Sequence, residues 1–236
     1  MQSLQGLNER QKEAVLQQEG PVLVLAGAGA GKTKTVTHRI LGLIEKGVSP
    51  SAILAVTFTN KAAKEMRERV ESMILKADFA KNPVSEHERP FLSTFHSLGV
   101  YILRHHGKHI GISQKFKIID KDDAKKMVRD ALKESGYDIK QYEPNKILGI
   151  ISKQKGDFVS PDEYNDSLKT GDYFKEATLE VWRKYEKRLK ENDCLDFDDL
   201  LVKTVLLLRQ VPQVREFYNN KWKYIHIDEY QDTNKV

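Results

Sequence analysis

The chain has 236 residues, of which 39% are apolar and 31% charged, and its formal net charge is +5. That length accommodates one large domain or two smaller ones, and no apolar run approaches a membrane span. A lone cysteine, Cys194, excludes an internal disulfide, and Met1-Gln2-Ser3-Leu4-Gln5 lacks the basic start and apolar core of a signal peptide; together they favour a reducing cytoplasm.

The first helix opens at Asn8 and runs to about Gln17, with Gln11 placed three residues after the cap as in a capping box. Val22 to Leu25 reads as the first strand, and a helix from Lys32 to Lys46 stops at Gly47. Ile53 to Phe58 reads as a buried strand, so strand–helix–strand predicts a parallel pair. Asn60 is placed to cap a helix from Lys61 to about Leu75, and residues 80–90, with Pro83 and Pro90, read as a loop. Phe91 to Phe95 is a third short strand, followed by a helix from His96 to His105.

From about residue 107 strand-like content falls away. Helices are predicted over Asp122–Ser135, Pro144–Lys153, Asp162–Leu168 and from about Asp172, where Phe174, Thr178, Trp182, Tyr185 and Leu189 recur at helical spacing as a buried stripe. Asp196 to Leu208 and Val211 to Asn219 are further helices, and Tyr224 to Ile227 is a last strand ending in Asp228-Glu229. His226, alternating with Tyr224, reads as a packed strand residue. The pattern predicts an α/β chain: a parallel sheet with flanking helices over 1–106, a helical insertion over 107–192, and a return to the first domain over 193–236. Residues 101–155 carry 13 Lys/Arg against 7 Asp/Glu, a zone that can attract a phosphate backbone or be a solvated helical surface.

The densest chemical signal is Ala26-Gly27-Ala28-Gly29-Ala30-Gly31-Lys32-Thr33, set between a strand and a helix. A glycine-rich turn lets backbone N–H groups point inward as a nest for phosphates, and the following helix aims its positive end at the same charge. In such a loop Lys32 reaches the β- and γ-phosphates and the Thr33 hydroxyl ligates Mg²⁺. Two acids at a strand's carboxyl end are the expected partner: Asp228 for Mg²⁺ through its hydration shell, Glu229 to polarise the attacking water. ATP or another nucleoside triphosphate with Mg²⁺ is the ligand these residues predict.

Several blocks in order resemble superfamily 1 DNA helicases of the UvrD/Rep/PcrA type. Leu7 to Val15 resembles the Q motif, Ala26 to Thr33 motif I, Ala55 to Met66 motif Ia, Ser93 to Ser97 motif Ib, Leu195 to Leu200 motif Id, and Asp228 to Asn234 motif II. The resemblance implies a RecA-like motor domain with a helical subdomain inserted after motif Ib, and ATP-driven 3′ to 5′ translocation on single-stranded DNA. It implies that Gln11 reads the adenine edge. It implies DNA contact by Thr57, Phe58, Thr59 and Asn60, and by Thr94, Phe95 and His96; an aromatic there can stack on a base while hydroxyls and amides hold phosphates. Asp198 and Asp199, being acidic, are expected to position neighbours or cap the helix.

Three positions depart from the family pattern: Ala26 for the first loop glycine, Ala30 for a hydroxyl residue, and Lys34 where arginine is frequent. Lysine cannot stack a planar guanidinium on a base. The family continues with motif III and a second RecA-like domain that supplies arginines, so the resemblance implies the N-terminal part of a longer motor, inactive or weakly active alone. Open alternatives are a nucleotide- or DNA-binding module without turnover, a subunit of a helicase–nuclease, and a small-molecule kinase. The motif Ia and motif II blocks argue against the kinase. Duplex DNA at the basic insertion is a further open partner.

Overall fold

The computed structural model describes residues 1–77, 88–169 and 171–232. They form two compact units, residues 1–98 together with 216–232, and Gly99–Arg215.

In the first unit, α1 (Glu9–Leu16) begins at Asn8, whose side chain and Gln11 form the predicted reciprocal capping box. The unit's long helix α2 (Lys32–Glu45) starts at Gly31 in the left-handed region, φ 84°, and ends before Gly47, φ 90°. The sheet is wholly parallel, in the order β2–β1–β5, with β1 (Ile53–Thr57), β2 (Phe91–Thr94) and β5 (Tyr224–Ile227). The middle strand β1 is buried at all five positions, as an apolar run between two neighbours should be. Between β1 and β2 runs α3 (Asn60–Lys76), the crossover that parallel pairing requires. Ile40, Leu43 and Ile44 of α2 join Met66 and Val70 of α3 over Ile53, Ala55 and Leu92 to make this unit's core.

Two sequence expectations fail in this unit. Val22–Leu25 is not a strand; it has no regular structure, and its side chains are 40–86% exposed. A strand needs a hydrogen-bonding neighbour. Both edges of β1 are taken by β2 and β5, and none of the described strands lies beside residues 22–25. The α3 cap is Thr59, whose hydroxyl accepts from Ala62 N at 3.1 Å, and Asn60 is already helical. Most of the loop expected over 80–90 lies outside the described residues.

In chain order α4 (Phe95–His106) follows β2 directly. The second unit then holds α5 (Lys121–Glu134), α6 (Pro144–Gly156), α7 (Pro161–Asp166), α8 (Tyr173–Glu191) and α9 (Phe197–Gln210), and α10 (Pro212–Lys221) leads toward β5. Its core is Val128 and Leu132 of α5, Ile147 and Ile151 of α6, and Trp182, Tyr185 and Leu189 from the predicted α8 stripe. Two short strands missing from the sequence reading, β3 (Lys117–Ile118) and β4 (Cys194–Leu195), pair in parallel. Two residues are too few to show an alternating pattern.

A buried ion cluster ties three helices of this unit. Lys155, at the end of α6, places its ammonium 2.8 Å from Glu186 of α8, 2.8 Å from Asp196 and 3.1 Å from Asp199 of the α9 N-terminus. Tyr185 donates to Asp196 at 2.9 Å, and Asp196 and Asp199 form the α9 capping box. Burial alone would push Lys155 down, but the carboxylates of Asp199, Asp196 and Glu186 outweigh it and hold the lysine well above its ordinary value. Burial drives Asp199 upward, whereas at Asp196 burial is outweighed by Lys155 and the net shift is downward.

Candidate nucleotide site

The glycine-rich loop runs from Ala26 into the N-terminus of α2, exposed throughout Ala26–Ala30. Gly29 (φ 75°) and Gly31 (φ 84°) take left-handed backbone that side chains resist. At Gly31 a Cβ would also stand 2.8 Å from Gln11 Nε2, so a side chain there would displace the Gln11 amide as well as strain the backbone. At Gly27 and Gly29 a Cβ would meet open space, so the loop is uncovered at both positions. Ala26, Ala28 and Ala30 alternate with these glycines and place no bulk beyond a methyl on the loop.

Lys32 lies back over the loop, its ammonium 3.5 Å from the carbonyls of Ala26 and Gly27 and 3.7 Å from Glu229 Oε1. Thr33 Oγ1 donates to Asp228 Oδ2 at 2.9 Å, across 195 residues of sequence. Asp228 is buried, and its N–H donates to Val56 O at 2.9 Å, which extends the β1–β5 ladder by one bond and fixes the carboxylate at the strand end. Glu229 follows in the left-handed region, φ 54°, and Gln231 Nε2 donates to its carboxylate. A non-glycine residue held there costs about 1–3 kcal/mol, a conformation that clusters at functional sites. Here it turns the Glu229 side chain back toward Lys32.

The Thr33 hydroxyl and Asp228 carboxylate are hard oxygen donors side by side. That set fits Mg²⁺, which takes few protein ligands and completes its octahedron from phosphate and water. No group of three or more His, Cys, Asp or Glu among the described residues is arranged to hold a metal by itself.

Gln11 stands beside the loop, its Nε2 donating to Ala30 O at 3.0 Å and its Oε1 accepting from Asn8 N at 3.1 Å. His226, on the β5 face opposite Ile225 and Ile227, is buried and pushed down to about 4 by burial and by the Arg39 charge.

The residues expected to touch DNA gather at the carboxyl ends of β1 and β2, the edge that also carries Asp228. Thr57 and Thr94 are register partners, both buried, and Thr94 Oγ1 is bonded to Ser97. Phe58 is 52% exposed beyond the end of β1. Thr59 and Asn60 start α3, while Phe95 and His96, half-buried, start α4. The buried Lys155 cluster escaped the sequence reading. Its signal was a lysine four residues beyond Ile151 and eight beyond Ile147, on the apolar stripe of α6.

A glycine-rich loop opening a helix, with a threonine bonded to an acid at the end of a parallel strand, defines a RecA-like P-loop α/β domain. A family model for the UvrD/REP helicase N-terminal domain matches residues 7–236, and the chain belongs to that family. It is 46% identical over 236 residues to the ATP-dependent DNA helicase PcrA of Bacillus subtilis, which covers 100% of this chain and 30% of the relative. Identity is 44% over 234 residues to PcrA of Staphylococcus epidermidis and 45% over 234 residues to PcrA of Staphylococcus aureus, covering 99% of this chain in each case and 31% and 30% of the relatives. The chain thus spans about 30% of the length of the curated relatives it matches. No helix among the described residues is long and apolar enough to cross a membrane.

Proposed function

We propose that this chain is the ATP-binding part of an ATP-driven DNA helicase that moves 3′ to 5′ on single-stranded DNA. The observation that carries the reading is the Thr33–Asp228 hydrogen bond at 2.9 Å with Lys32 facing Glu229 beside it. Four side chains from opposite ends of the sequence converge on one open, glycine-lined loop.

Lys32, held only by two 3.5 Å contacts to loop carbonyls and a 3.7 Å ion pair, is free to exchange these for β- and γ-phosphate oxygens. Mg²⁺, when bound at Thr33 and Asp228, neutralises charge on those oxygens. Glu229 accepts a proton from a water as its oxygen attacks the γ-phosphorus, and the β–γ bridging oxygen departs with ADP. Gln11 addresses the adenine edge. Phe58 offers a stacking face to a base, and Thr59, Asn60, Phe95 and His96 line the same sheet edge for the DNA strand. Thr57 and Thr94, being buried, act there by setting the ends of their strands. Within the compact unit Gly99–Arg215, residues 107–192 are the inserted subdomain, whose basic zone is offered to duplex DNA, and from 193 the chain begins a return that reaches the motor unit at Glu216. In the longer protein a second motor domain completes the γ-phosphate site and the DNA track.

The test is ATP hydrolysis by the 236-residue chain and by the longer protein, with and without single-stranded DNA, against Lys32→Ala and Glu229→Gln. The reading predicts DNA-stimulated turnover in the longer protein, lost in Lys32→Ala. Glu229→Gln should bind nucleotide but lower turnover by about 10²–10⁴. Equal turnover in wild type and Lys32→Ala would refute it.

A further inference from the structure

Helix α1 and the residues before it are strapped onto α2 by side chains of α2 that reach backbone groups. Lys34 Nζ donates to Gly6 O at 2.6 Å, His38 Nδ1 meets Ser3 O at 2.8 Å, and Glu45 accepts from Gln2 N at 2.7 Å. Arg39 reaches two carbonyls of the segment. Its Nη1 donates to Ala14 O at 2.6 Å and also to Gln17 O, a cation on the orphan carbonyls at the end of α1. Gly42 lets the segment approach, since a Cβ there would lie 3.3 Å from both Ser3 Oγ and Gln18 Nε2.

At the other end of α1 the strap holds one functional group. The Asn8 side chain accepts from Gln11 N at 2.9 Å, and the Gln11 side chain answers with Oε1 on Asn8 N at 3.1 Å and Nε2 on Ala30 O at 3.0 Å. The amide therefore has a fixed sense. Flipping it would set its NH₂ against the Asn8 N–H and its oxygen against the Ala30 carbonyl, replacing two hydrogen bonds with two repulsions. In the fixed sense one Oε1 lone pair and one Nε2 hydrogen remain unused. An adenine edge presents an N6 donor and an N7 acceptor, which match them in order; a guanine edge presents acceptors at both O6 and N7, and its O6 would face Oε1.

We propose that Asn8 and Arg39 are specificity-determining positioning residues, which hold the Gln11 amide in the one sense that accepts adenine and rejects guanine. This rests on the nucleotide-binding reading of the loop. Both act at one remove: the Asn8 side chain caps α1 and so places its own N–H against Gln11 Oε1, and Arg39 holds the other end of α1.

The experiment is titration of the 236-residue chain, with Mg²⁺, by ribose-labelled fluorescent ADP and GDP. Wild type should prefer ADP by about tenfold or more. Asn8→Ala and Arg39→Ala should reduce that preference to about threefold or less by weakening ADP alone, and Asn8→Asp, which keeps an acceptor at the cap, should restore it. A merely structural role would weaken both nucleotides together, and an unchanged ADP:GDP ratio in Asn8→Ala overturns the proposal. Should Arg39→Ala fail to fold, Arg39→Met, which keeps an apolar stem and removes the donors to both carbonyls, takes its place. Failure of the underlying reading looks different: wild type binds neither nucleotide, or Lys32→Ala binds as wild type does, and the proposal falls with it.

Discussion

Replacing Lys155 with methionine keeps an unbranched apolar stem, one atom shorter, and removes the charge. The ammonium it removes is the shared partner of Glu186, Asp196 and Asp199, whose side chains are 28%, 9% and 3% exposed. Deleting one member of a buried ion cluster costs about 3–5 kcal/mol, because the remaining charges stay desolvated without compensation. The lower end is expected, since Lys203 stays 3.5 Å from Asp199 and Tyr185 keeps its bond to Asp196. With a urea slope of about 2 kcal/mol per M, the midpoint should fall by about 1.5–2 M. Trp182, whose indole donates to Glu186 at 3.2 Å, reports on this unit by fluorescence. The sign of the pH effect follows by linkage. Stranded carboxylates bind protons more tightly folded than unfolded, so the variant regains stability relative to wild type as pH falls from about 7.5 to about 5. At the other extreme, the raised Lys155 gives wild type a contribution fully present below 10.5 and lost as pH rises through the folded-state value. A cost under about 1 kcal/mol, or a gap between variant and wild type that does not narrow on acidification, would refute the reasoning.

Three further predictions concern the first unit and the helix contact at Gly99. His226, ordinarily 6.5 and pushed to about 4, stays neutral in the fold while the unfolded chain protonates; stability should fall by about 3 kcal/mol from pH 6.5 to 4, and urea titration of His226→Leu should lack that slope. Gly99→Ala would bring a Cβ to 2.5 Å from Leu200 O and 3.1 Å from Thr204 Oγ1, so α4 and α9 must part. The clash, about 1–3 kcal/mol, exceeds the gain of about 1 kcal/mol in helix propensity, and thermal unfolding should show a net loss. Phe58→Ala should weaken single-stranded DNA by about 1–3 kcal/mol in fluorescence anisotropy with the melting temperature unchanged, because the ring is 52% exposed; equal DNA affinity would remove Phe58 from the binding face.

Features that depend on local spacing were legible in the sequence. The capping box at Asn8 and Gln11, the stop at Gly47, the α8 stripe and the strand Tyr224–Ile227 all follow from neighbouring residues. Features that depend on distant partners were not. Val22–Leu25 has the composition of a strand, but a strand exists only with a neighbour. Asn60 and Thr59 are both good caps, and the choice falls to the residue still in extended backbone just before the helix, which is Thr59 with ψ 148°. The positive φ of Glu229 and the Lys155 cluster have no local signature beyond an acid pair and one lysine on an apolar helix stripe. At the nucleotide site the sequence gives residue types, and the structure adds that Thr33 meets Asp228 and that Gln11 is bonded from two sides.

The Thr33–Asp228 bond spans 195 residues, and the compact unit Gly99–Arg215 lies wholly inside that span. During synthesis at about 5–20 residues per second, roughly 10–40 s separate the emergence of the phosphate loop from that of its acidic partner. The enclosed unit has its own core and is complete before β5 leaves the ribosome. The glycine-rich loop is thus made early and meets its acidic partner late, and a nascent chain carries the whole middle unit while the candidate nucleotide site is still two separate pieces.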